Sequence, residues 1–129
     1  HGVKDATTDL DTLARWFSLY PAANIGVATG KVSGMWVLDV DPRHGGDKAL
    51  EVLIKRNELL PSTREAITGG GGSHFFFEYN GRVTQNSNSK VAPGLDVKAD
   101  GGSIVVAPSR HKSGNLYQWR TPWPTNEPE

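Results

Sequence analysis

The chain has 129 residues, 36% of them hydrophobic and 22% charged, with 14 basic and 14 acidic side chains and no net charge. That length holds one core of ordinary size, and the lack of cysteine excludes disulfides, thiolate zinc sites and a cysteine nucleophile. No apolar run approaches the ~18 residues of a membrane span and no basic-then-apolar leader opens the chain, so a cytoplasmic setting is expected.

Residues 1–7 carry no periodicity and fit either an expression scar or the cut end of a longer protein. Thr8-Asp9-Leu10-Asp11 is a capping signature, a hydroxyl followed three residues later by an acid. It predicts an amphipathic helix with Leu10, Leu13, Phe17 and Tyr20 facing the core and Pro21 as its stop. Residues 24–30 read as a short strand entering a glycine turn, and 31–34 return the chain as a hairpin into a strand over 34–41. After a turn at Pro42-Arg43-His44-Gly45-Gly46, Asp47 can cap a second helix that runs to Asn57, with Leu50, Val52, Leu53 and Ile54 buried and Pro61 beyond it. Residues 65–68 and 74–79 are strands joined by the run Gly69-Gly70-Gly71-Gly72-Ser73, and Asn80-Gly81 is a hairpin dipeptide. The polar stretch 84–90 reads as a loop without structure of its own, followed by strands at 94–98, 103–107 and 116–120. Two helices among short, hairpin-linked strands predict an α+β domain with a largely antiparallel sheet. Residues 1–120 form the expected core and 121–129, with three prolines, a tail or the start of a linker.

The strand Met35-Trp36-Val37-Leu38-Asp39-Val40-Asp41 ends in two carboxylates. Alternation puts Asp39 and Asp41 on one face, about 7 Å apart, and Trp36, Leu38 and Val40 on the other. Each acid then needs water, a proton or a cation against desolvation and mutual repulsion; taken alone, the pair also fits a strand running into a solvated turn. The glycine run lacks the pattern of a P-loop or a dinucleotide fingerprint. It can still turn backbone N–H groups toward an anion, with Ser73 and His74 adding donors, or be a plain flexible loop. The four histidines show no zinc spacing, the acids miss the EF-hand register and no Gly-x-Ser-x-Gly elbow occurs. Asp39, Asp41 and Asp96, at the ends of different strands beside a glycine loop with His74, suit magnesium or manganese together with a nucleoside triphosphate.

The order of these motifs resembles the bifunctional primase/polymerase (prim-pol) domain of the archaeo-eukaryotic primase superfamily, found in replication proteins of plasmids, phages and other mobile elements. Val37-Leu38-Asp39-Val40-Asp41 is similar to its hydrophobic acid-x-acid motif, Gly72-Ser73-His74 to its small-x-His motif, and Leu95-Asp96 to its hydrophobic-Asp motif. Ala107-Pro108-Ser109 with His111, and Tyr117 with Trp119, resemble its closing signature. The resemblance implies an RRM-like sheet with two main helices, a DNA primase/polymerase activity, DNA template and primer as partners, and a helicase domain or protein as a further one. It implies Asp39, Asp41 and Asp96 as catalytic ligands of two magnesium or manganese ions, and Gly71, Gly72, Ser73 and His74 as nucleotide contacts; Lys98, on the Asp96 face of its strand, is added as a phosphate contact. Family members usually carry further residues upstream of the Asp5 region, so this catalytic core is expected to be truncated at its N-terminus. The alternatives from the residues are a non-catalytic nucleotide or nucleic-acid-binding module and a metal-dependent nuclease.

Overall fold

The computed structural model describes residues 2–57 and 63–120, without the side chains of 88–91. Pro61 and the expected tail at 121–129 lie outside the described residues. After a 3-10 turn at Gly2–Asp5 come α1 (Leu10–Leu19), β1 (Ile25–Ala28), β2 (Met35–Val40), a second 3-10 turn at Pro42–His44, and α2 (Gly46–Asn57). Six further strands follow: β3 (Arg64–Ile67), β4 (Ser73–Glu78), β5 (Ser87–Ala92), β6 (Leu95–Lys98), β7 (Ser103–Val106) and β8 (Gln118–Trp119). Six strands form one sheet in the order β5-β6-β2-β4-β3-β8, and β1 pairs with β7 in a separate ribbon. Every pairing is antiparallel, so the α+β, antiparallel class read from the sequence holds.

The sheet is covered on both faces, which is why β2 and β4 are apolar on both sides rather than alternating with polar residues. On one face Leu38, Val40, Leu95, Val97 and Ala99 pack with Trp36, Phe75 and Phe77 against Ala49, Leu50 and Leu53 of α2. On the other, Val37 and Phe76 meet Ile25, Val27, Ile104 and Val106 of the ribbon, with Trp119 beside them. Leu95 is fully buried. Replacing it with Ala is expected to cost about 2–5 kcal/mol, and urea melts against the wild type would measure it.

Several local expectations are corrected. The first helix is capped by Asp9, whose carboxylate accepts from the Thr12 N–H, and not by Thr8. It buries none of its residues, and Leu10 and Tyr20 are exposed at 79% and 68% rather than core. Amphipathic spacing names a helix face without naming what covers it; here Leu13 and Phe17 border an open cavity of about 400 Å³ against the N-terminal turn and β1. The expected hairpin between 24–30 and the acidic strand is a turn closed by a single bridge, Gly30 to Met35. Both edges of β2 are already taken by β4 and β6, leaving none for β1. Asn80-Gly81 makes a turn, with Arg82 N–H on Asn80 Oδ1, but joins no hairpin, since β4 is flanked by β2 and β3. The polar stretch 84–90 is not all loop: β5 begins at Ser87 and pairs irregularly with β6. In α2, Asp47 sits in the first turn rather than at the cap, and Val52 is exposed.

Candidate active site

The three central strands bring the chemistry-bearing residues abreast. Asp39 on β2 is the register partner of His74 on β4 and of Asp96 on β6. Imidazole, acid and acid therefore lie side by side, with Asp39 in the middle, on the ribbon face of the sheet, beyond the stretch that the ribbon covers. His74 is 5% exposed and its Nε2 lies 3.5 Å from Asp39 Oδ1, while its buried Nδ1 has no hydrogen-bond partner among the described residues. Like charges directly opposed across a ladder are destabilising, so Asp39 against Asp96 is an arrangement that packing alone does not favour.

Asp41 follows the last residue of β2 and caps the 3-10 turn. Its Oδ1 accepts from the Arg43 backbone N–H at 2.9 Å and lies 3.3 Å from Arg43 Nε, and its Oδ2 accepts from His44 Nδ1 at 2.8 Å. Partial burial pushes this carboxyl upward, but the hydrogen bonds from His44 and Arg43 and the Arg43 charge outweigh it and hold Asp41 below the ordinary carboxylate value.

Asp39, Asp41 and Asp96 line one open cavity of about 160 Å³ with His74, Arg43, Thr68, Gly70, Gly72, His111 and Tyr117. The Tyr117 ring stands between those of His74 and His111, at centroid distances of 6.3 and 6.1 Å. Burial, and then the Asp39 charge, raise the Tyr117 phenol above its ordinary value, so it stays a hydrogen-bond donor at neutral pH.

The glycine loop joins β3 to β4, and its work is largely steric. The Gly71 N–H donates to Thr68 O and the Gly72 N–H to Thr68 Oγ1, so these two amides are turned inward rather than toward an anion. A Cβ on Gly69 would meet Asn115 O at 2.7 Å, one on Gly72 would strike the Val40 carbonyl, and Gly71 has φ +88°. Gly71 is outside the cavity lining. Ser73 pairs with Val40, on the face opposite His74, and its hydroxyl donates to Glu65 Oε1. Lys98 lies on the Asp96 face but pairs with Val37, one step up the strand from the cavity. Arg43, Thr68, His111 and Tyr117 complete the lining without having been singled out as site residues. His111 and Tyr117 sit in the closing signature already quoted, and Arg43 follows an Asp-Pro turn that favours a side chain folding back on the acid.

Among the described residues no three Asp, Glu or His side chains converge as a ready metal site. No helix among them is long and apolar enough to cross a membrane.

These features define a class: an α+β domain whose antiparallel sheet carries an acidic, histidine-bearing cavity beyond a covering ribbon. The chain matches the family model for the bifunctional DNA primase/polymerase, N-terminal domain, over residues 1–129, and the protein belongs to that family. A search of curated proteins returned no match.

Proposed function

We propose that the domain is a metal-dependent nucleotidyltransferase that extends a template-paired primer. The observation that carries this reading is the in-register row His74, Asp39 and Asp96, opening into the cavity that Asp41 also lines. The donors fit a magnesium or manganese ion in kind: three carboxylates supply hard oxygen ligands, and Asp39 and Asp96 stand at paired positions of adjacent strands. Asp39 and Asp96 would hold it, joined by Asp41 once that carboxylate is freed from Arg43 and His44. Such an ion supplies charge stabilisation at the phosphoryl oxygens and lowers the pKa of the attacking hydroxyl.

In the reaction the primer 3′-oxygen forms a bond to the α-phosphorus as the α–β phosphoanhydride breaks; pyrophosphate leaves and the hydroxyl proton passes to solvent. His74, packed between Phe76 and Tyr117, holds a fixed ring beside Asp39 and is placed to orient that carboxylate or meet a phosphate oxygen. The Tyr117 phenol offers a donor on the same wall. Lys98 and Ser73 lie farther off and the Gly72 amide is taken by Thr68, so the near contacts fall to His74, Thr68 and Gly70.

One observation favours a second reading, a nucleotide-binding module without turnover: the Asp41 oxygens are already bonded by Arg43 and His44. Incubating the chain with labelled primer, template and each nucleotide pool separates the two. Extension that needs added Mn²⁺ or Mg²⁺ and is erased by EDTA is the expected result. Nucleotide binding without extension supports the module, and shortened primer supports a nuclease.

A further inference from the structure

Arg43 is the one guanidinium among the described residues of the cavity lining. Its Nε lies 3.3 Å from Asp41 Oδ1 and its Nη2 3.5 Å from Oδ2, so the fork spans both oxygens of one carboxylate. The same Nη2 would be 3.7 Å from a Cβ placed on Gly70, so the group stands between the acids and the glycine loop. Its side chain is 59% exposed against 28% for Asp41, leaving the long arm free to turn while the carboxylate stays rooted in the turn. A planar fork of donors binds phosphate as readily as carboxylate.

We propose that Arg43 is a phosphate-binding residue of this cavity and that it competes with a divalent cation for Asp41. The inference rests on the nucleotidyltransferase reading. The Asp41 oxygens already accept from Arg43 and His44, so a metal there competes with them for the remaining lone pairs, and two cationic groups on one carboxylate repel each other. A cation on Asp41 therefore displaces the guanidinium toward Gly70, where the polyphosphate of a nucleotide would carry the largest negative charge. Nucleotide and metal then favour each other through one side chain: the metal frees the arginine, and the arginine is held away by the phosphates.

Arg43→Ala in the full chain tests this, because the Asp41 cap on the 3-10 turn uses the backbone N–H of residue 43, which alanine keeps. Mn²⁺ binding without nucleotide, read from the electron paramagnetic resonance of the free ion, is expected to tighten about two- to fivefold, as the loss of a partly exposed ion pair allows. Binding of dATP in Ca²⁺, read by calorimetry, is expected to weaken about tenfold, as the loss of a charged phosphate contact implies. Opposite signs are the signature, since a merely structural role would move both affinities the same way. If the wild type binds both ligands and the variant shifts neither, or shifts both in one direction, the inference is overturned alone. If the wild type binds neither Mn²⁺ nor dATP, the nucleotidyltransferase reading falls and the inference with it.

Discussion

Asp39→Asn is expected to lower primer extension by about a thousandfold or more, the scale of several kcal/mol of lost charge stabilisation at the reacting phosphate. The fold should survive. Asparagine keeps an acceptor oxygen for His74 Nε2, 3.5 Å away, and the residue sits on a strand paired on both sides. It also removes a like charge directly opposite Asp96, a repulsion on the order of 0.2–1 kcal/mol. Thermal unfolding should therefore stay at the wild-type temperature or rise slightly. Lost extension with retained stability ties Asp39 to chemistry; full extension in this variant would show that the row is not a catalytic site.

Gly94→Ala should cost about 2–5 kcal/mol, through left-handed strain together with overpacking. Gly94 turns β5 into β6 with φ +75°, and a Cβ there would strike the Gly46 amide and lie 2.7 Å from Asp41 O. The same crossing holds the acid in place: Asp41 N–H donates to Gly94 O, and Gly46 N–H donates to Asp41 O. The methyl would thus press apart the start of α2, the β5–β6 turn and the backbone of Asp41. Gly81→Ala is the matched control, since Gly81 has φ +78° with open space around its Cβ position, and should cost only about 1–2 kcal/mol. Urea melts of the two variants separate strain from collision. Equal losses would mean that the Gly46–Gly94 contact contributes nothing.

Much of the site could be read from alternation alone. The two-residue period of strands placed Asp39 opposite the Leu38 and Val40 face, and His74 with Phe76, as the sheet shows. The same period, applied to Ser73, puts its hydroxyl on the far face from His74, where Glu65 receives it. Cross-strand register is a different matter: nothing local in β2 says that His74 and Asp96 are its neighbours at Asp39, because pairing is settled by which edges remain open once the sheet assembles. The β1 partner has no local signal for the same reason, since its edge is claimed by β7, far along the chain. The exposure of α1 had no local signal, because its spacing is that of a buried helix. Strand parity puts Asp41 on the Asp39 face, but Asp-Pro also signals a turn and a cap, and that local bonding governs where its carboxylate points.

The most direct test of a nucleotidyltransferase is the stoichiometry of its products: nucleotides added to a labelled primer against pyrophosphate released, in Mn²⁺ or Mg²⁺, by this chain. The account predicts one pyrophosphate for each nucleotide added and neither product from Asp39→Asn. Nucleotide bound with no pyrophosphate formed, or phosphate released without primer lengthening, would contradict it.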